Sequence, residues 1–205
     1  MPDQLKVITD TQTEVHEVAD VKNYLRQFYT AGVDTDLINE DELITLLQKS
    51  SREACENFAR MTIMPKTYDF WTDEIPPDQE IHLPRGPNSS ITGVWKQDRE
   101  ETETELVLNT GYYKRGLSDY ILTLNTVWNI PIVTSRNTDL VNPIRIRFVA
   151  GYTDASEVPS VIKDAIYQTC SFNYENLREI SEGKMSATLP VGARALMKYH
   201  RRWVL

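Results

Sequence analysis

The sequence is poor in cysteine, which argues against a disulfide framework and against a zinc site. Its 205 residues include two cysteines, and neither a C-x-x-C motif nor a Cys/His spacing surrounds them. Cys55 and Cys170 each fall among apolar residues of a predicted helix, the usual setting of a buried free thiol. We therefore expect two reduced, buried cysteines, because disulfides are rare in reducing compartments.

Long hydrophobic runs are also missing from the sequence. No stretch approaches the roughly 20 apolar residues that a membrane span requires. The N-terminal residues Met1-Pro2-Asp3-Gln4 lack the basic start and the apolar segment of a signal peptide. We therefore expect a protein that is made and folded in a cytosol and has no membrane partner.

The sequence contains fewer basic residues than acidic ones. The chain has 22 Lys and Arg residues against 30 Asp and Glu, which gives a formal net charge of −8. Proteins that hold nucleic acid through its phosphates usually carry a basic surface, so this chain should repel DNA on average. An acidic wall does suit a conduit through which DNA slides without specific binding.

Recognisable catalytic motifs are missing too. The histidines His16, His82 and His200 have no Asp, Ser or Cys partner nearby in sequence, and no G-x-S-x-G motif is present. The segment Gly86–Ser90 lacks the frame and the lysine of a phosphate-binding loop. The acidic run Asp98–Glu105 is expected to be a solvated hairpin tip, with a channel-facing or calcium-binding role as the alternatives. The sequence thus predicts no catalytic residue, no cofactor and no metal ion.

What the sequence does contain is helical periodicity in four segments. They run from about Ala19 to Tyr29, from Asn39 to just before Pro65, from Pro159 onward, and from about Pro190 to Arg202. The side chains expected to be buried are Val21, Tyr24, Leu25 and Phe28 in the first helix; Leu43, Leu46, Leu47, Ser50, Ala54, Cys55, Phe58 and Met61 in the second; Val161, Ile162, Ala165, Ile166, Thr169, Cys170, Asn173, Tyr174 and Leu177 in the third; and Ala195, Leu196 and Tyr199 in the fourth.

Between the second and third helices the period changes to that of strands. Predicted strands are Tyr68–Trp71, Ile81–Leu83, Ile91–Trp95, Leu106–Leu108, Gly111–Tyr113, Tyr120–Leu124 and Ile144–Ala150. The predicted fold class is therefore α+β, a predominantly helical bundle of about four helices with an inserted antiparallel β-module between the second and third. The expected domains are an N-terminal arm at 1–18, a helical core at 19–65 and 156–205, and the inserted β-module at 66–155.

Aromatic side chains are dense in the β-module. They are Tyr68, Phe70, Trp71, Trp95, Tyr112, Tyr113, Tyr120 and Trp128. A sheet that binds single-stranded nucleic acid interleaves such residues with Lys and Arg, whereas the neighbours here are mainly Asp, Thr, Asn and Ser. The pattern favours core packing or a protein interface.

The C-terminus carries the main basic cluster: Lys198, His200, Arg201, Arg202 and Trp203. Cations at a helix end complement the helix dipole, which is one explanation. Arg and Trp are also the residue types that dominate interface hot spots, so a docking segment is the other explanation. Composition alone leaves both open.

The order of several short motifs resembles the head–tail connector (adaptor, or head-completion) proteins of long-tailed bacteriophages. The motifs are the helix before Pro65, Tyr68–Trp71, Ile81-His82-Leu83-Pro84-Arg85-Gly86-Pro87 before Ile91-Thr92-Gly93-Val94, Val149-Ala150-Gly151-Tyr152 before Val158-Pro159, and Leu189-Pro190 before the last helix. The similarity covers most of the chain, although the segment Asp98–Asn142 departs from the compact members.

The resemblance implies a structural virion protein and no catalytic residue. Such connectors form a ring of about twelve copies under the portal protein, extend the DNA channel, and provide the surface for a stopper or tail-completion protein. The expected location is the virion neck, after assembly in the host cytoplasm. We expect the C-terminal segment to dock on the portal, through Tyr199, His200, Arg201, Arg202, Trp203, Val204 and Leu205. The alternative is a monomeric or dimeric protein-binding module that uses an aromatic β-face.

Overall fold

The computed structural model describes residues 4–11, 13–28, 41–72, 80–87, 90–97, 102–115, 121–124, 144–176 and 189–201. The chain divides into two compact units. A β unit comprises residues 1–11 and 65–151, and a helical unit comprises residues 12–64 and 152–205. The combination of helices and antiparallel strands confirms the α+β class.

The helical unit contains four described helices. They are α1 (Val18–Phe28), α2 (Asp41–Ala59), α3 (Ser160–Glu175) and α4 (Val191–Lys198). A 3₁₀ turn, Ala155–Glu157, precedes α3, and Pro159 lies at the start of that helix, where its missing N–H costs nothing. Both α2 and α4 pack on α3, and α1 packs on α2. None of the described helices has the length and hydrophobicity needed to cross a membrane.

The helical core follows the predicted pattern best in α3. Its buried residues Ile162, Ala165, Ile166, Thr169 and Cys170 all belong to the predicted stripe. They join two apolar clusters with residues of the other helices and of the segments that flank them. The clusters are Val15, Cys55, Ala59, Met61, Ile63, Met64, Val158, Ile162, Ala165, Ile166, Leu189, Ala193 and Met197, and Val21, Leu25, Ile44, Leu47 and Cys170.

The second helix ends earlier than predicted. It stops at Ala59, because Arg60 adopts the left-handed conformation (φ 54°) that terminates many helices. The amide of Met61 then bonds to the carbonyl of Glu56, and the amide of Ile63 donates to the Glu56 carboxylate at 2.9 Å. The segment before Pro65 is therefore buried but not helical.

The buried face of α2 also differs from the prediction. Leu46, expected inside, is 63% exposed, whereas four polar residues, Gln48, Ser51, Arg52 and Glu56, are buried. Arg52 pairs with Glu56 on the same helix and with Glu14 from the segment before α1. Because Arg52 compensates the carboxylate of Glu56 within the helix, α2 buries a polar stripe that hydrophobic periodicity does not detect.

The predicted face of α4 was only partly correct. Leu196 is partly buried against the helical core, whereas Ala195 and Tyr199, expected inside, are exposed. The fully buried residues of α4 are instead Ala193 and Met197, which lie one turn apart on the same side of the helix.

The β unit contains eight described strands. They are β1 (Gln4–Thr9), β2 (Lys66–Thr72), β3 (Glu80–His82), β4 (Ser90–Gln97), β5 (Glu103–Glu105), β6 (Tyr112–Arg115), β7 (Ile121–Leu124) and β8 (Ile144–Ala150). A five-stranded sheet has the order β1-β2-β8-β4-β5, and a three-stranded sheet has the order β3-β7-β6. All neighbouring strands are antiparallel. The segment predicted as an arm thus supplies a strand, and the insertion of a β-module into a connector core stays a prediction.

Alternation along β8 gives the five-stranded sheet two distinct faces. Ile144, Ile146, Phe148 and Ala150 are buried, and the residues between them are half-buried. We call the side of Ile146 the apolar face and the side of Arg145 the polar face. The core of the β unit consists of Tyr68, Phe70, Ile81, Leu83, Ile91, Val94, Leu106, Tyr112, Ile144, Ile146, Phe148 and Ala150.

The strand predicted at Leu106–Leu108 lies earlier in the chain. The strand is β5, in which Glu105 pairs with Trp95, and Leu108 makes only an isolated bridge to Tyr112. The second half of the acidic run is therefore a strand and not a hairpin tip, but its three residues are exposed, which confirms the expected solvation. The Glu103 carboxylate accepts a hydrogen bond from Arg145 of β8. Residues 98–101 lie outside the described residues.

Candidate interaction surfaces

The described residues offer no metal centre. Among them, no group of three or more His, Cys, Asp and Glu side chains is placed to hold an ion. His82 lies exposed in β3, as expected for a surface histidine, and His200 is half-buried. His16 is packed against Tyr167, with ring centroids 3.7 Å apart, and its Nε2 lies 3.1 Å from the Lys163 carbonyl.

Burial makes both cysteines poor nucleophiles. Cys55 and Cys170 are buried free thiols, which confirms the sequence prediction. Burial raises the pKa of each thiol to about 11, and the Sγ of Cys55 lies 3.9 Å from the Thr169 hydroxyl. The thiolate that reacts with electrophiles and metals is therefore scarce.

The outer stripe of α4, Val191, Ala195 and Tyr199, is an exposed apolar surface. These residues are four apart, so they share one face of the helix. Val191 is 83% exposed and Tyr199 is 90% exposed. A tyrosine ring held almost wholly in solvent by a packed helix is available to a partner.

The predicted docking segment begins at this stripe. His200 and Arg201 follow Tyr199 in a turn closed by a bond from the His200 amide to the Met197 carbonyl. The Arg201 guanidinium lies 5.7 Å from the centroid of the Phe58 ring. Arg202, Trp203, Val204 and Leu205 lie outside the described residues.

A groove of about 460 Å³ runs between α2 and the start of α4. Its lining residues are Ser50, Glu53, Ala54, Asn57, Phe58, Leu189 and Arg194. Three of them, Ser50, Ala54 and Phe58, belong to the stripe that periodicity assigned to the core. The apolar pattern of α2 therefore marks a surface of the helical unit and not only its interior.

An ion-pair ladder crosses the polar face of the five-stranded sheet. Arg147 binds Asp69 with two hydrogen bonds of 2.7 Å, and Arg145 lies 3.6 Å from the same carboxylate. Arg145 also binds Glu103 and stacks on the Trp95 ring at 3.9 Å. The hydrogen bond from Arg145 lowers the pKa of Glu103, and the one to Asp69 raises the pKa of Arg147. The ladder ties four strands together and leaves the charges mutually satisfied.

The aromatic residues of the β unit divide between core and surface. Tyr68, Phe70 and Tyr112 are core residues, which confirms the packing expectation for them. Trp71 and Trp95 are half-buried on the polar face, and Tyr113 is 44% exposed. Tyr120 and Trp128 lie outside the described residues.

Sequence reasoning missed β1, one edge of the five-stranded sheet, as a strand, whereas it expected the acidic run that contains the other edge, β5, to be solvated. All six residues of β1 and all three residues of β5 are exposed. The available signal was the alternation of the apolar Leu5 and Val7 with the polar Gln4 and Lys6 at the N-terminus. That alternation is typical of a strand, and burial on neither side is typical of an edge.

Comparisons with known proteins give a fold and no family. No protein-family model matches the sequence, and no curated protein matches it. A chain from a structure described as the virion of a native gene transfer agent (GTA) particle superposes with a TM-score of 0.70 at 20% identity, covering 98% of this chain and 96% of that chain. A chain from the neck of an empty GTA particle, computed with C6 symmetry, gives 0.69 at 17% identity, covering 98% and 97%.

A third chain comes from the neck of a native GTA particle computed with C12 symmetry. Its TM-score is 0.68 at 18% identity, with 98% of this chain and 97% of that chain covered. The likeness extends over nearly the whole of both chains, so the described fold is a shared whole-chain fold.

Proposed function

We propose that this chain is a structural protein of the neck of a phage-like virion, a head–tail connector that forms a ring. The observation that carries the proposal is the whole-chain likeness to chains from GTA particles, two of them from necks. The motif order that resembles phage connectors supports it independently. In this proposal the ring has about twelve copies, lies under the portal protein, and receives a stopper or tail-completion protein.

The net charge, the paired charged side chains and the buried thiols suit a ring through which DNA passes better than they suit an enzyme. A net charge of −8 disfavours tight phosphate contacts, so genomic DNA passes the ring without specific binding. Asp69, Glu103, Arg145 and Arg147 of the sheet are paired with one another, and the thiols are buried. The two neck structures were computed with C6 and C12 symmetry, which supports a closed ring.

Deletion of the gene from the genome that encodes it tests the proposed role. Particle preparations without the protein should contain DNA-filled or emptied heads and separate tails, with few joined particles by electron microscopy. Supply of the protein from a plasmid should restore joined particles. Joined particles at the normal frequency without the protein would contradict a neck role.

We propose further that the segment Tyr199–Leu205, together with the outer stripe of α4, docks on the portal. Tyr199 is exposed on a helix that Ala193 and Met197 anchor in the core, so the helix presents it without needing to refold. Removal of residues 199–205 should abolish portal binding and leave the subunit folded. Unchanged binding would overturn this assignment.

A point variant sharpens the docking test. Tyr199→Ala removes the exposed ring alone, and a central aromatic anchor is typically worth about 2 kcal/mol or more, or about thirtyfold in affinity. The matched control is Tyr113→Ala, which removes an exposed tyrosine from the β unit. Portal affinity should fall for the first variant and stay unchanged for the second.

A further inference from the structure

We propose that the outer edge of β1 pairs with the outer edge of β5 of a neighbouring copy, so that the five-stranded sheet continues between subunits. The occupant of each edge is thus a second copy of this chain. The proposal rests on the ring of the proposed function and assigns one of its subunit contacts. The three arguments are the state of the two edges, their charges and the direction of their strands.

Both edges are open among the described residues. In that part of the chain β1 pairs only with β2, and β5 pairs only with β4. Leu5, Val7 and Ile8 are 36%, 48% and 42% exposed, and no residue of β1 belongs to the core of the β unit. An exposed edge with large apolar side chains and free backbone groups is a template for another strand.

The two edges have opposite charges on the same face of the sheet. Lys6 stands opposite Asp69, which stands opposite Arg147, so Lys6 lies on the polar face. Glu105 stands opposite Trp95, which stands opposite Arg145, so Glu105 lies on that face too. In a sheet that continues from β5 to β1 of the next copy, Lys6 of one copy lies on the same face as Glu105 of its neighbour. Opposite charges on neighbouring strands attract, so this pairing is favourable.

The same charges disfavour pairing of like edges. Lys6 is the ionisable residue of β1, and Glu103 and Glu105 are those of β5. A β1–β1 contact would bring lysines together, and a β5–β5 contact would bring glutamates together. Unlike edges produce a head-to-tail interface, which closes into a ring when the rotation fits and does not stop at a dimer.

Strand direction is consistent with rotation about a ring axis. Four successive antiparallel pairings separate β1 from β5, so these two strands run in the same direction. Copies related by a small rotation keep that direction, and the junction is therefore a parallel pair. A two-fold dimer would instead require antiparallel pairing of like edges.

The junction is short, because β5 has three residues. Its buried area falls well below the roughly 1,200 Å² of a stable interface, so by itself it binds weakly. Ring closure or a portal template raises the effective concentration of the edges and strengthens every junction. The edge contact therefore contributes most in the assembled ring.

Cysteine cross-linking tests the pairing directly. The variant with Lys6→Cys and Glu105→Cys is treated with a short bismaleimide, which tolerates a register shift of a residue or two, alone and after portal binding. Denaturing gels should show a ladder of trimers and larger species. The native thiols do not interfere, because both are buried. The matched control is Leu46→Cys with Val161→Cys, which places two exposed cysteines on the helical unit, away from the outer stripe of α4, and should give no ladder.

Each outcome has a distinct meaning. A ladder from the double variant, with monomers from Lys6→Cys alone and from Glu105→Cys alone, supports the proposal. Strong dimer bands from either single variant would indicate like-edge pairing and overturn it. Absence of a ladder while light scattering reports a ring would overturn the edge contact and leave the ring intact. Absence of both ladder and ring would contradict the proposed function as well.

Charge reversal provides a second, independent readout. Lys6→Glu replaces an attraction by a repulsion and should weaken each junction about fivefold, seen as a higher protein concentration needed for assembly. The further change Glu105→Lys should restore assembly in the same chain. Equal assembly of all three proteins would overturn the charge argument.

Discussion

Arg52 and Glu56 form an ion pair of 3.2 Å, one turn apart, on the buried face of α2. The Glu14 carboxylate completes the site and accepts two hydrogen bonds from the Arg52 guanidinium, of 2.7 and 3.0 Å. The Glu56 carboxylate also receives the amide of Ile63. One arginine therefore holds the segment before α1, the helix α2 and the chain after it in a single arrangement.

Arg52→Met should strongly destabilise the protein. The change leaves two carboxylates without their cation, and breaking a buried pair in this way typically costs about 3–5 kcal/mol. Urea unfolding followed by circular dichroism measures the loss. Arg194→Met, which removes an exposed arginine of the same unit, should stay within about 0.5 kcal/mol of the original protein.

A second substitution that partly restores stability would show that Arg52→Met destabilises the protein by leaving a carboxylate without a cation. Adding Glu56→Gln to Arg52→Met removes one uncompensated carboxylate but keeps an oxygen for the Ile63 amide. The double variant should therefore be more stable than Arg52→Met alone. If Arg52→Met unfolds at the same urea concentration as the original protein, the site has no part in stability.

The two thiols should not react in the folded protein. With a pKa of about 11, each thiol is ionised in about one molecule in a thousand at pH 8, and burial excludes the reagent as well. Labelling with a chromogenic disulfide should be negligible over minutes in buffer and complete for both cysteines in guanidinium chloride. Rapid labelling of either cysteine in native buffer would contradict the packing around it.

Acid should weaken the fold through His16. Burial is the main cause that lowers the His16 pKa below the ordinary value of 6.5, with Lys163 contributing, while the bond to the Lys163 carbonyl and Asp20 oppose it. The unfolded chain therefore binds this proton more readily than the folded chain. The contribution of neutral His16 is fully present above pH 6.5 and is lost as the pH falls through 6.5 towards the lower folded pKa.

His16→Gln should reduce this acid sensitivity, because glutamine keeps a donor near the Lys163 carbonyl and does not titrate. The measurement is the free energy of unfolding at pH 7.5 and at pH 5.0 for both proteins. The original protein should lose more stability between the two pH values than the variant does. An equal loss in both would mean that His16 titrates alike in the folded and unfolded states.

The sequence predicted helices and strands well where the pattern of apolar residues alone determines which side of the element is buried. The run from Ile144 to Ala150 alternates strictly, and its predicted bounds match β8. The five buried residues of α3 all belong to its predicted stripe, although Val161 of that stripe is 39% exposed. The burial of Cys55 and Cys170 was predicted correctly because free cysteines are usually buried in folded proteins.

The error in the buried face of α2 has a different physical cause, because charged side chains are buried there by pairing. Arg52 and Glu56 occupy the buried face of the helix, and Arg52 also binds Glu14. Arg52 and Glu14 are 38 residues apart in sequence, so local periodicity does not detect the pair. The exposed edge β1 was missed for a related reason, since its partner β2 lies about 60 residues further along the chain.

The mass of the purified protein, alone and mixed with its portal protein, tests the central claim most directly. Light scattering after gel filtration should report a ring of about twelve chains of 23.6 kDa each in at least one of the two samples. A mass of one chain, 23.6 kDa, in both samples would contradict the ring and favour a monomeric binding module.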